Sequence, residues 1–440
     1  MTSRGFVAAG HPLSAEAGAR VLRDGGNAVD AAIAAMLTSW VAEPLLSGPG
    51  AGGYMLVAGA GEDPVLLDFF VEAPGRGADP ASRCALLPFE VSFGDANQVF
   101  NAGPASCGAY GNPAGICEAS RRWGTVPLAE LAAPAAALAR EGVPLNAPQA
   151  FVVELLRPIL LSTPESRALF APDGELMGEG DVYRFDELGD AIDLLGAEGD
   201  RPFYEGEVGT AVSDWLRARG GTLTPEDLAA YRPVLREPVR ARYRGRDVLT
   251  NPPPNAGGIL LALALRRLAE SDGPPSLTEI VDAMEAVQAH RTPEFTNGLA
   301  DPEYVHGFIG THLGNTTHIS VMDGEGRAAA VTCTNGEGSG VVVPGTGIHV
   351  NNIMGEEDLS PAGFHLAPAG TRMPSMMAPT LVLRGDTVEL AVGSAGSNRI
   401  RSAILQVIVG VVDHGLAARE AVRAPRVHFE DGIVYAEPGV

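Results

Sequence analysis

The spacing of hydrophobic positions changes near residue 316, from runs with a helical period to short alternating runs between glycine turns. In the first part, Ser14 is placed to cap a helix over residues 15–23, which Gly25-Gly26 ends. Asn27, with Asp30 three residues on, reads as a capping box for an alanine-rich helix reaching about Val41. A glycine-rich stretch from Ser47 to Gly53 leads into a strand over 54–58, and residues 65–70 form another apolar run. Residues 75–118 are rich in Gly, Pro, Asn and Ser and read as loop that walls a pocket. Thr125 and Pro127 open a helix whose buried stripe is Leu128, Leu131, Ala135 and Leu138, and Gly142 closes it. Residues 146–245 read as largely helical, with a second strong helix start at Thr224-Pro225-Glu226-Asp227. A strand over 247–250, a stiff proline turn and a helix over 259–269 follow.

Beyond Thr316 the pattern predicts strands over 316–323, 328–334, 341–351, 380–384 and 388–392, a helix over 405–412 and a last strand over 425–435. A turn at Asp323-Gly324 joins the first two as a hairpin and brings Thr334 near Thr316. The chain has no repeat with a period of roughly 20–50 residues and no clean linker, so one compact domain is expected over 1–440. Strands occur both early and late among the helices. An α/β (α+β) arrangement with two sheets between helical layers fits best.

Composition narrows the field. With 31 basic against 54 acidic residues the net charge is -23, which argues against nucleic acid and anionic membrane as partners. The N-terminus lacks the apolar core of a signal peptide, and no apolar run is long enough to span a bilayer, so a cytoplasmic location is expected. Four cysteines form no metal-type cluster; Cys107 and Cys117 are a possible pair, with free thiols the favoured state. Nine histidines without ligand spacing give no support for a metal, and no cofactor is expected. The glycine loop before residue 54 precedes a strand, whereas a phosphate loop precedes a helix, so it instead serves close backbone approach.

The candidate chemistry lies at Thr316. A threonine hydroxyl is a weak nucleophile without a base within hydrogen-bond reach. Cutting the Asn315–Thr316 bond supplies one, because a free α-amine titrates at about 7.7–8.0. The same hydroxyl can make the cut by attacking the Asn315 carbonyl. His318, two residues on, is better read as a packed strand histidine than as the base.

The surrounding stretches resemble the γ-glutamyltranspeptidase family of N-terminal-nucleophile hydrolases. They include HPLSAEAGARVLRDGGNAVDAAIAA (11–35), EPLLSGPGAGGYMLV (43–57), GGTLTPEDLAAY (220–231) and NPPPNAGG (251–258). NTTHISVMD (315–323), GTGIHVNN (345–352), MPSMMAPTLV (373–382) and GSAGSNRI (393–400) follow in the family's order. The resemblance implies an αββα four-layer sandwich and cleavage into a large subunit, 1–315, that stays associated with a small one, 316–440. It implies Thr316 as nucleophile, with Thr334 as the second threonine that hydrogen-bonds it. Gly396-Ser397 match the backbone donors of an oxyanion site, Pro374-Ser375 a substrate-binding hydroxyl pair, and Glu356 the acid that binds the substrate amine. Asn335 is a guess for the amino-acid-binding asparagine.

Two departures concern substrate choice. The family's carboxylate-gripping arginine is replaced by Phe70 or Val71, and a Glu or Gln by Ile353. Arg399 or Arg401 is the available substitute, though structural pairing is the better reading of both. The family also continues past the strand near Tyr435, so a C-terminal strand and helix beyond residue 440 are expected. Three functions follow: a γ-glutamyl transferase or glutathione hydrolase, an acylase of the same chemistry with a non-glutamyl amide, or a non-cleaving binding homologue.

Overall fold

A computed structural model describes residues 5–92, 97–289, 316–360, 363–396, 398–430 and 432–440. Its larger sheet has six antiparallel strands in the order Gly5–Ala9, Thr317–Asp323, Ala328–Thr334, Gly52–Gly59, Glu62–Phe69 and Val234–Arg236. Its smaller sheet runs Thr387–Val392, Thr380–Arg384, Arg246–Thr250 and Val239–Tyr243. Side chains alternate across a strand, so each buried strand serves two apolar layers. Met55, Val57, Leu67, Ile319, Val321 and Val331 face helices, while Tyr54, Leu56, Leu66, Ala328 and Ala330 meet Leu249, Leu381 and Leu383 of the smaller sheet. The far face of that sheet, with Tyr243, Val248 and Leu390, packs on helices Ala256–Leu268, Leu277–Ala289 and Arg399–Val412. The result is the helix–sheet–sheet–helix order expected of the chain.

The helix Ala28–Ala42 is buried along all fifteen residues, as its alanine-rich composition demands. Its capping box forms as read, Asn27 accepting from the backbone of Val29 and Asp30. The box at Thr224 forms too, with Asp227 returning to the Thr224 backbone. Other starts differ. The first helix spans Pro12–Asp24, and His11 rather than Ser14 caps it, its Nδ1 accepting from Leu13. Proline at the first helical position brings the start forward, because its missing N–H is not needed there. Thr125 caps nothing: its hydroxyl donates to Asp30 at 2.6 Å, and the helix runs Leu128–Glu141 behind Pro127.

The stretch 75–118 is more ordered than its composition suggests. It holds the hairpin Leu87–Ser92/Asn97–Ala102 and the start of helix Asn112–Trp123, which has no side-chain cap to announce it. Residues 146–245 are largely helical as read, the longest helices being Asp186–Glu198 and Glu207–Arg217, and end in the strands Val234–Arg236 and Val239–Tyr243. The strand expected over 341–351 is two short ones, Val342–Val343 and Ile348–His349. The one expected over 425–435 is a hairpin, Val427–Glu430 with Ile433–Ala436. All four cysteines are free, so Cys107 and Cys117 do not pair. Among the described residues no helix is long and apolar enough to cross a membrane.

Candidate active site

Two glycine motifs bring distant backbone together beneath one cleft. A Cβ on Gly50 would lie 2.3 Å from the His349 carbonyl oxygen, and one on Gly53 would lie 2.4 Å from that of Thr332. Asn351 uses the room, donating to the Gly50 and Gly108 carbonyls at 2.9 and 3.1 Å. On the other side, Asn251 donates to the Met377 carbonyl at 2.9 Å and Ala256 N–H to that of Ser375 at 2.9 Å. The turn over 251–258 therefore sets the wall made by Ser375, Met376 and Met377. Tyr54 reaches from the larger sheet to Asn255 at 2.5 Å, tying that turn to the hairpin sheet.

The hairpin pairs Thr317 with Cys333 and Ile319 with Val331. Ile319 and Val331 face the helices, so by alternation Thr316 and Thr334 point between the sheets. Both line a narrow cleft with Phe70, Ile353, Glu356, Asp358, Leu359, Ser375 and the residues after it. Both are mostly buried, Thr316 at 5% and Thr334 at 7% exposure. The Thr334 hydroxyl accepts from Gly336 N–H at 2.9 Å, and that of Ser375 from Met377 N–H at 2.9 Å. These polar groups are fixed by the turns that carry them.

Glu356 is half-buried in the same cleft, with its Oε1 covered. Burial, then the neighbouring Glu337 and Asp358, push its carboxyl well above the ordinary range. Gly336 packs directly on it: a Cβ there would sit 2.4 Å from Glu356 Oε1 and 2.0 Å from Asn352 Oδ1, and its φ is +64°. Asn352 in turn donates to Glu337 at 3.2 Å and accepts from its backbone at 2.9 Å.

Of the residues selected from sequence, Thr316, Thr334, Glu356 and Ser375 share the cleft, whereas Asn335, Pro374 and Gly396 are not among its walls. Asn335 is buried, neither side-chain polar atom has a partner among the described residues, and its backbone N–H donates to Leu46 at 3.2 Å. Gly396 has φ +105°, a conformation that favours glycine, and its carbonyl accepts from Arg399. Asn315 and Ser397 lie outside the described residues.

Among the described residues no arginine lines the cleft. Phe70 stands where the carboxylate grip was sought, together with Ile353. The nearby Arg372 is committed beneath it: its guanidinium donates to the Phe70 carbonyl and to Tyr231 Oη, and pairs with Glu72 at 3.2 Å. Arg399 lies over the Tyr435 ring, 5.8 Å from its centre, beside a different cavity. Arg401 is buried against Gln288, and burial lowers its guanidinium to about 10. His318 is held between Thr332 and Ser320 hydroxyls at 2.8 and 2.9 Å, and burial takes it down to about 3. Neutral and doubly bonded, it belongs to the sheet. No group of acids, histidines or cysteines suited to a metal occurs among the described residues.

The sequence reading did not single out Asp358, Leu359 or Ile400 as cleft walls. None carries a periodic or spacing signal, and each reaches the cleft through a turn or a helix start.

Known proteins bear on this arrangement. The Acylase ACY 1 proenzyme of Pseudomonas sp. (strain SE83) is 32% identical over 473 residues, spanning 100% of this chain and 85% of that protein. The Glutathione hydrolase proenzyme of Bacillus subtilis (strain 168) is 30% identical over 494 residues, spanning 98% and 82%. The crystal structure of a cephalosporin acylase from Bacillus halodurans superposes with a TM-score of 0.83 at 27% identity, covering 99% of this chain and 86% of that one. The family model described as Gamma-glutamyltranspeptidase matches residues 14–440. With two threonines in one cleft on this fold, the chain belongs to the gamma-glutamyltranspeptidase family.

Proposed function

We propose that the chain is an autoprocessing amide hydrolase that uses Thr316 as nucleophile and accepts an acyl group without an α-carboxylate. Processing begins when the Thr316 hydroxyl attacks the Asn315 carbonyl. The peptide C–N bond breaks as the ester forms, and water then hydrolyses the ester. The products are a large subunit, 1–315, and a small one, 316–440, which remain one sandwich because the six-stranded sheet takes strands from both.

The freed α-amine of Thr316 takes the hydroxyl proton as Oγ1 attacks the substrate amide. Thr334 hydrogen-bonds that oxygen, and backbone N–H groups near Gly396-Ser397 receive the developing oxyanion. The proton passes to the leaving amine, and water or an acceptor amine releases the acyl group from Thr316. Ser375, beside Pro374, orients the acyl chain, and Asn335 supports the turn behind Thr334.

The carrying observation is Phe70 in the cleft of the two threonines. A ring there offers an acyl chain apolar contact and offers a carboxylate no charge-assisted hydrogen bond. The acylase among the relatives supports this reading. A γ-glutamyl transferase or glutathione hydrolase is the second reading, favoured by Glu356 in the same cleft and by the glutathione hydrolase relative.

The test is a denaturing gel followed by anilide hydrolysis. We expect two bands, and faster release from acyl anilides lacking an α-carboxylate than from γ-glutamyl anilide. The reverse preference establishes the second reading, and a single uncut band establishes a non-catalytic homologue.

A further inference from the structure

The strand that begins at Thr317 is unevenly supported at its mouth. Towards the Ala328–Thr334 strand it pairs from its first residue, Thr317 with Cys333. Towards the Gly5–Ala9 strand its pairs end at Ile319 with Ala9, so the two residues nearest Thr316 have no ladder partner on that side among the described residues. The chain there turns away through Gly10 into a helix.

One side chain occupies the vacated edge. Glu43, at the C-terminal cap of helix Ala28–Ala42, is 4% exposed, and its Oε1 accepts from the Thr317 hydroxyl at 3.1 Å. Gly10 lies directly against this pair: a Cβ there would lie 2.2 Å from Glu43 Oε1 and 3.1 Å from Thr317 Oγ1. Three residues along the same turn, the Leu46 carbonyl accepts the backbone N–H of Asn335, the residue after Thr334. A single four-residue stretch thus holds the residue following each threonine of the cleft.

We infer that Glu43 is a positioning residue for Thr316, its carboxyl standing in for the missing strand neighbour and fixing the first rung of the nucleophile strand. The inference rests on the proposed role of Thr316. Attack on the Asn315 carbonyl needs the Thr316 backbone held in one orientation. After cleavage Thr316 becomes a chain end, and chain ends fray unless tied down. Thr317 is the nearest residue that can be tied, and its side chain points away from the cleft by strand alternation. A clamp on Thr317 therefore orders Thr316 while leaving its hydroxyl and amine clear.

The setting suits a carboxyl used as a hydrogen-bond acceptor. Oε2 has no partner among the described residues, and Glu43 borders a largely apolar cavity of about 550 Å³ with His11, Leu46 and Val152. Burial raises the Glu43 carboxyl to about 7, with the Thr317 hydrogen bond pulling the other way. Either protonation state still offers an oxygen to the threonine.

The test is the rate of precursor self-cleavage in the full chain, followed on a denaturing gel with the thermal midpoint recorded for each variant. Glu43→Ala and Thr317→Val are expected to slow cleavage at least tenfold. Glu43→Gln, which keeps an acceptor, and Thr317→Ser, which keeps the donor, are expected to stay within threefold of the parent chain. Thr317→Val keeps the branched shape while removing the hydroxyl, and covers the case in which Glu43→Ala fails to fold. Cleavage of Thr317→Val at the parent rate overturns the inference. So does a Gln or Ser variant as slow as its partner, because position would then not be the cause. Cleavage that persists in Thr316→Ala, or a parent chain that never cleaves, overturns the reading of Thr316 instead.

Discussion

Thr334 faces Thr316 across the mouth of the hairpin, one step beyond the Thr317–Cys333 pair, with both side chains in the space between the sheets. The relation predicts unequal effects. Thr316→Ala should leave one uncut chain, because no hydroxyl remains to attack. Thr334→Ala should still cleave but about 10²-fold more slowly, the scale of losing one hydrogen-bond donor to the reacting oxygen. A gel time course measures both, and a Thr316→Ala chain that separates into two bands would refute the assignment.

Phe70 is the position where substrate choice is most open to change. Phe70→Arg is expected to raise kcat/KM for γ-glutamyl anilide about tenfold, by supplying a bidentate partner for its carboxylate. Placing an unpaired guanidinium at a fully buried position should also cost on the order of several kcal/mol of stability. Initial rates and urea midpoints test the two halves separately. An unchanged preference in a folded variant means that the carboxylate does not approach this wall.

Glu356 separates substrates by their amine. Glu356→Gln should raise KM severalfold for acyl groups that carry an ammonium and leave simple acyl anilides unaffected. Its buried carboxyl is held above the ordinary range, so the folded state binds a proton the unfolded chain has released. That contribution is present below the unfolded value and is lost as pH rises towards the folded one. The variant should accordingly be the more stable of the two in alkaline buffer, by thermal melts across pH. An equal loss of stability with alkali in both chains would count against the shift.

Two packed imidazoles contribute strongly to the acid limb. Burial lowers His318 to about 3 and His349 to about 4 from an ordinary 6.5. Below pH 6.5 the unfolded chain takes up protons that the folded one refuses, so stability falls from there towards pH 3. The expected loss is of order several kcal/mol, read as a falling thermal midpoint. Ring resonances of His318 should show no titration above about pH 4. A His318 midpoint near neutrality would return it to consideration as a base.

Much of the framework is legible in local sequence. The capping boxes at Asn27 and Thr224, the αL glycine after Asp24, and the strands 328–334 and 380–384 follow from residues within a few positions of each other. The hairpin that faces Thr316 with Thr334 was readable for the same reason, since its turn and alternation are contiguous. Misreadings arose where the deciding contact is remote. Thr125 looks like a cap, but its hydroxyl is taken by Asp30, ninety-five positions away. Residues 87–102 look like loop, yet pair into a hairpin whose alternation is blurred by proline and asparagine.

The sequence by itself determined the chemistry on offer: a threonine at a strand start, its second threonine, and a missing arginine in the expected stretch. Only the tertiary structure decided what surrounds that threonine. Phe70, Glu356 and Ser375 come from strands and turns far apart in the chain, and they converge because two sheets pack face to face. Glu43 opens the stretch 43–57, but nothing local there shows its partner, because its role depends on where the adjoining strand stops. The proposed nucleophile sits in short-range pattern, whereas the cleft around it exists only after long-range packing has closed around it.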